Sequence, residues 1–313
     1  MPENPHATFL DRDLAEADVK AYYSAQVDML EQLVNYGSNL VPRALASCPA
    51  TDKHILICGT LLKQVVMMLD AAHVLISRCC CDAAFVPLRA AFEASLYLEW
   101  MIADTTDEIA SAYQVAQWRE QRIWAERVIP STEEAQEYRR AFASWVDEGP
   151  VVTDAQLEQQ ASEAIAMLDQ HLASEKYAPI NIKFQQAKDK RGVETDWFKV
   201  AGAPSIAAIA KRINKREKYS FFYGKASKLV HARDMSTAVI VEATRVRLTP
   251  IRNIKSFNEL FIYFTSVAFD SYFAILKEYR SGEIAAFRKQ YTTDWRPAML
   301  SIPSINFSFR DPG

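Results

Sequence analysis

Glycine is scarce in this chain, eight in 313 residues. With abundant Ala, Leu, Glu and Gln, that scarcity points to helices on short connections and away from sandwiches and barrels. The nucleotide, redox and hydrolase signatures are missing as well: no GxxxxGK[ST], no Gly-rich dinucleotide turn, no HExxH and no GxSxG. Nor do Asp and Glu cluster at metal-ligand spacing, so neither cofactor nor metal is expected. Charge of one sign is not in excess. The 36 Lys and Arg against 39 Asp and Glu leave a formal −3, which does not support a generally basic nucleic-acid binder but leaves room for a local basic stripe.

Long uninterrupted apolar runs are also lacking. The most apolar stretch, residues 260–276, is broken by Asp270 and falls short of the roughly 18 residues of a spanning helix. The amino terminus, MPENPHATFLDRDLAEADVK, is polar and acidic, without the basic start and apolar core of a secretory leader. A cytoplasmic protein with no membrane partner is expected. Cysteine is limited to five: Cys48 and Cys58 stand alone, and Cys79, Cys80 and Cys81 are consecutive. Adjacent thiols cannot easily close a disulfide or share a tetrahedral metal, so reduced buried thiols at a helix junction are expected, with a redox role as the rival reading.

What remains is helical periodicity. Apolar residues at threes and fours predict an amphipathic helix from Asp13 to Leu45, broken or kinked near Pro42. Residues 52–77 are apolar on most sides and predict a central core helix. His73 within it is expected to be a satisfied core or boundary residue, and Asp82 is available to cap the next helix. Helices follow over 83–103 and 107–128. Ser131-Thr-Glu-Glu resembles a capping box for the next one. Residues 153–172 form an acidic helix whose His171 reads as a solvated end residue, and 205–213 a short one. Residues 219–233 and 253–280 complete the long central helices, with a short helix over 283–291 and an irregular tail from Thr292. Residues 238–248 are β-branched and read as a short strand or an extended connection. The fold class is all-α: one domain over 1–313, with an N-terminal helix (7–51), a core multi-helix bundle (52–280), and a short helix and tail (281–313).

Chemistry can sit on two of these helices. In YSFFYGKASKLVHAR, Tyr219, Tyr223, Ser227 and His231 are spaced by four. Each step turns about 40° around an α-helix, so they line one slowly drifting side. On residues 88–100, Arg89 and Glu93 are spaced i,i+4 on an otherwise apolar helix, and a buried charge must be paired. One reading is structural: tyrosine rings pack, and Arg89 and Glu93 fix helix register. The other brings Arg89 beside His231, a cation for an anionic oxygen beside an imidazole able to move protons near neutral pH. Those groups suit metal-independent RNA cleavage. KRINKREK (Lys211, Arg212, Lys215, Arg216, Lys218), with Lys228, is the candidate for tracking a nucleic-acid backbone.

At LRAAFEASLYLEWM, Trp197 and YSFFYGKASKLVHAR the chain resembles a bacterial all-helical family of unknown function. Its recurrent features are an R-xxx-E helix and a Y-xxx-Y-xxx-S-xxx-H helix, carried here by Arg89, Glu93, Tyr219, Tyr223, Ser227 and His231 over roughly residues 52–280. More loosely, the layout is similar to HEPN-type helical proteins, which include RNA-cleaving toxins and abortive-infection effectors. The chain departs from their signature, since no Arg stands four to six residues before His231. That resemblance implies a defence-associated effector acting on RNA or nucleotides. His231 would be general acid/base, Arg89 the phosphate-stabilising cation, and Glu93, Tyr223 and Ser227 their orienting partners. The alternative is a non-catalytic scaffold or sensor, with a protein partner or a second copy, in which Arg89, Glu93 and His231 form a structural polar network.

Overall fold

The computed structural model describes residues 10, 12–47, 49, 53–142, 155–187, 195–230, 239–242 and 245–305. The protein is all-α, and its chain groups into two compact units, residues 1–103 with 209–313, and residues 104–208 inserted between them.

The first unit is a bundle around α2 (Lys53–Ser77), packed on α1 (Arg12–Leu45) and α3 (Cys81–Ile102). The helix apolar on most sides is central, as its composition requires: Leu61, Leu62, Val65, Leu69, Ala72 and Ile76 are all buried. By length and composition, residues 54–77 and a later helix, Phe257–Tyr279, would each suit a membrane span. More than half of each apolar window is instead buried by neighbouring helices, 56% and 61%. In α1, Tyr23 leaves helical geometry (φ −134°) and its ring stacks on Phe257 at 3.7 Å. Pro42 lies in the last helical turns, and the helix ends three residues later at Leu45. His54 opens α2 with Nε2 3.1 Å from the Met101 carbonyl and Nδ1 2.7 Å from the Tyr279 hydroxyl. A carbonyl only accepts, so Nε2 carries the proton and Nδ1 accepts from the tyrosine. His73 is less well satisfied than its sequence setting suggests: Nε2 is buried without a hydrogen bond, and burial lowers its pKa.

The α2–α3 junction explains the cysteine run. The Cys80 N–H donates to the Leu75 carbonyl (2.8 Å) and the Cys79 N–H to that of Ile76 (3.0 Å), a Schellman closure. Cys79 occupies its left-handed position (φ 59°), at a steric cost of about 1 kcal/mol for a residue with a Cβ. Cys79 and Cys81 are buried and Cys80 is half-buried. Burial pushes the Cys79 thiol up to about 12 and raises that of Cys81 as well. Thiolate is the reactive form. Among the described thiols, Cys80 is therefore expected to react first with an aromatic disulfide reagent at pH 8. Mass spectrometry after partial labelling checks this, and equal labelling of Cys79 and Cys81 would refute it. Asp82 does not cap α3. Its carboxylate accepts from Asn253 Nδ2 (3.2 Å) and Ser256 Oγ (3.1 Å), tying α3 to the turn before the next long helix.

The inserted unit packs α4 (Glu108–Glu126) against α6 (Ala155–Ala173), α7 (Ala178–Gln186) and α8 (Trp197–Val200) over a core of Val115, Leu172, Tyr177, Ile180 and Phe184. His171 is not simply solvated, because its ring stacks on Trp118 at 5.0 Å. Before α5 (Glu133–Phe142) the capping hydroxyl is one residue later than the capping-box pattern suggests: Thr132 Oγ1 accepts from the Ala135 N–H at 3.2 Å.

A short helix, α9 (Ile206–Arg212), leads back to the first unit. There α10 spans residues 216–230, as Arg216–Lys218, a π-turn at Tyr219–Tyr223, and Gly224–Val230. The described residues of the β-branched stretch form an antiparallel pair, β1 (Val239–Glu242) and β2 (Arg245–Leu248), with Val239 opposite Leu248 and Val241 opposite Val246. The aromatic helix α11 (Phe257–Tyr279) packs on α1, α2 and α3. Then α12 spans residues 284–300, with a second π-turn at Tyr291–Trp295 before Arg296–Leu300. The irregular tail thus begins after Leu300, later than the prolines suggest, because Pro297 sits in a first turn where its missing N–H is no loss. Gln26 Nε2 on α1 donates to the Ala298 carbonyl (2.8 Å) and holds this end against the bundle.

Candidate functional site

Two polar centres lie on α3 and α10. The first forms where the π-turn brings the tyrosines together. A π-turn has more residues per turn than an α-helix, so a step of four no longer overshoots a full turn by about 40°. The Tyr219 and Tyr223 rings accordingly stack, with centroids 4.6 Å apart and planes 18° apart. Tyr223 then reaches α3. Arg89 Nη2 donates to its hydroxyl at 2.6 Å, and the guanidinium carbon lies 4.5 Å from the ring centroid. On the other side Arg89 Nε is 3.0 Å from Glu93 Oε1, with side-chain exposures of 18% and 24%. The two form an i,i+4 ion pair.

Burial works against the Arg89 charge, but the Tyr223 hydrogen bond and the Glu93 carboxylate outweigh it and raise its pKa. Arg89 is therefore a fixed cation. Beneath it Phe222 stacks flat on Tyr263 at 4.1 Å, and Phe92 meets both rings edge-on. Tyr263 is fully buried, yet its hydroxyl makes no hydrogen bond. Burial first, then the Glu93 charge, raises its pKa, so the hydroxyl keeps its proton. Tyr263 Oη is thus a buried donor with unused hydrogen-bonding capacity beside the Arg89–Glu93 pair, the kind of group that calls for a functional explanation.

The second centre depends on Asn214. The Lys215 N–H donates to the Ala210 carbonyl (2.7 Å) and the Asn214 N–H to that of Lys211 (3.3 Å), with Asn214 left-handed at φ 57°. This Schellman turn ends α9 and swings Lys215 inward, where Nζ meets Glu99 Oε2 (3.2 Å) and Asp270 Oδ2 (2.5 Å). Lys218 Nζ reaches the same Asp270 oxygen at 2.5 Å. Burial raises the Glu99 pKa, and Lys215 offsets only part of that rise. Glu99, Lys215 and Asp270 line an open cleft of about 770 Å³ between α3, α11 and α12.

The expected site residues divide accordingly. Arg89, Glu93 and Tyr223 are brought together. Ser227 is half-buried on α10, and His231 lies outside the described residues. Of the basic run, Lys215 and Lys218 are ion-paired to carboxylates, Arg212 lies over Trp100 at 5.8 Å, and Lys211 and Arg216 are exposed, as is Lys228. No group of three or more His, Cys, Asp or Glu suited to a metal occurs among the described residues. Tyr263, Glu99 and Asp270 are the residues that sequence reasoning did not single out. For the two acids the signal was a single charge within an apolar stretch, LYLEW and VAFDSYF, where a buried charge needs a partner.

Neither a curated protein nor a solved structure matches this chain. A family model does match residues 54–244, which hold Arg89, Glu93, Glu99, Lys215 and Tyr223 but not Tyr263 or Asp270. The chain belongs to that family, a family of unknown function designated DUF5677.

Proposed function

We propose that the protein is a cytoplasmic effector that acts on RNA or a nucleotide, and that the Arg89 centre takes the phosphate. The observation that carries this reading is a guanidinium aimed by Tyr223 at 2.6 Å, beside the unused Tyr263 hydroxyl. A cation of fixed charge beside an unused hydroxyl suits an anionic oxygen, whose charge-assisted hydrogen bonds are about twice as strong as neutral ones. In this reading His231 transfers the proton, Arg89 stabilises the crowded phosphate, and Glu93 and Tyr223 hold the guanidinium in place. A defence role, of the abortive-infection kind, extends the proposal on the HEPN-type resemblance alone.

Purified wild type is expected to cleave a single-stranded RNA oligonucleotide. Arg89→Lys, which keeps the charge and loses the fork, and Tyr223→Phe are each expected to slow cleavage about tenfold or more. His231→Ala is expected to leave the RNA intact. Intact RNA with wild type, or equal cleavage by His231→Ala, would sink the proposal. The scaffold reading has one observation in its favour: Lys215 and Lys218, the inner half of the basic run, already answer Glu99 and Asp270. It expects Arg89→Ala to lower the melting temperature of a protein without activity on RNA.

A further inference from the structure

The 770 Å³ cleft is distinct from the Arg89 centre and lies within the size range of small-molecule pockets. Its floor is the Glu99–Lys215–Asp270 group, whose charges largely cancel with the help of Lys218. Its walls are aromatic. Phe269 and Tyr291 meet edge-on at 5.3 Å, and Phe273 keeps 37% of its surface exposed. At the rim stand Lys277 and Arg288, both exposed, with the Arg288 guanidinium 5.9 Å from the Phe273 ring centroid. Arg212 from the basic run also lines it, and Glu278 is the one further carboxylate.

An aromatic wall under a cationic rim has two complementary demands, a flat ring and an anion. Aromatic faces accept any base by stacking, worth about 1–3 kcal/mol per base, and arginine and lysine at the rim answer phosphate. At the floor Lys215 is already taken by Glu99 and Asp270, so no cation is left there for phosphate, which sets the ligand's orientation, base inward and phosphates at the mouth. We infer that this cleft binds a mononucleotide, with its base against Phe273 and Tyr291 and its phosphates held by Lys277 and Arg288. The inference does not rest on RNA cleavage at Arg89. It assigns a second site, of different shape and on different helices, suited to a soluble nucleotide that would control or feed the first.

Isothermal titration calorimetry on the full chain tests it, with ATP, AMP, adenosine and tripolyphosphate as ligands. ATP or AMP is expected to bind, with adenosine and tripolyphosphate each at least tenfold weaker than ATP, since each answers half of the site. Lys277→Glu and Arg288→Glu, both at exposed positions, are expected to weaken ATP binding tenfold or more with unchanged thermal melts, and Arg89→Lys to leave it unchanged. Binding of neither nucleotide, or binding indifferent to both charge reversals, overturns the inference. So does tripolyphosphate binding as tightly as ATP. Loss of binding in Arg89→Lys with the cleft variants unaffected also overturns it, while leaving the proposed function standing.

Discussion

Replacing Lys215 by methionine is expected to cost about 3 kcal/mol of folding stability at pH 7.5, and clearly less at pH 5. The lysine is the cation between two carboxylates, and the three side chains are 16%, 17% and 24% exposed. Methionine fills much the same volume, so what is lost is charge. Removing one partner of a buried ion pair typically costs 3–5 kcal/mol, because the other charge is left in low dielectric. Lys218 still holds Asp270, which places the cost at the lower end and makes Glu99 the orphan. The pH dependence follows from Glu99. Burial already raises its folded pKa above the unfolded value, and losing Lys215 raises it further. A carboxyl shifted upward binds its proton more tightly in the folded state. Its favourable contribution is complete below the unfolded pKa, about 4.3, and is lost as pH rises through the folded value. The variant's deficit is therefore largest at neutral pH and shrinks toward acid. Urea unfolding of both proteins at the two pH values measures this, and an equal deficit at both would show that Glu99 is not the group left unpaired.

A methyl group added at Gly37 is expected to destabilise the fold by about 3 kcal/mol, although alanine is the better helix former. Gly37 lies where α1 meets α2 and α11. A Cβ there would collide with the Tyr272 hydroxyl and stand 2.6 Å from Val66 Cγ2. Neither neighbour is free to yield. Tyr272 is fully buried and donates to the Leu33 carbonyl at 2.9 Å, and Val66 is packed in the core. Relief means parting the helices or breaking that hydrogen bond. Gly224 on α10 is the control, since nothing lies within 4 Å of its added Cβ and its φ of −61° is helical. Gly224→Ala is expected to stabilise by up to about 1 kcal/mol. Thermal melts of the two variants decide the matter, and like signs for both would discard the close-approach explanation.

The architecture was legible where one physical pattern dominated. Residues 52–77 and 253–280 read as core helices because they are apolar in nearly every direction, and the helices there, Lys53–Ser77 and Phe257–Tyr279, bury more than half of their most apolar stretch. Arg89 and Glu93 read as a pair because i,i+4 spacing on an apolar helix leaves few alternatives, and the pair forms. Tyr223 stood in the polar stripe, and its hydroxyl meets Arg89 on α3. Other features left weaker traces. In KRINKREK the basic residues drew attention, whereas Asn214, a known helix stop, decided which lysine turns inward. Asp270 registered as an interruption of an apolar run, but no spacing rule links it to Lys215, 55 positions away by subtraction of their numbers. Tyr263 looked like one more aromatic in a core helix, and only tertiary placement shows its hydroxyl left over beside Arg89.

The π-turn at Tyr219–Tyr223 has a consequence for comparing this chain with its relatives. Such a turn is a single surplus residue absorbed without breaking the helix, and it shifts everything before it by about 100° around the axis relative to everything after. Lys218 meets Asp270 on α11 from before the turn and Tyr223 meets Arg89 on α3 at its end, in this phase. A relative that lacked the surplus residue would align with a one-position gap between them. Its uninterrupted helix would carry the Lys218 contact to α11 or the Tyr223 contact to α3, but not both. A gap at that point in an alignment would thus mark a change in which contacts survive, even where every charged and aromatic residue was retained.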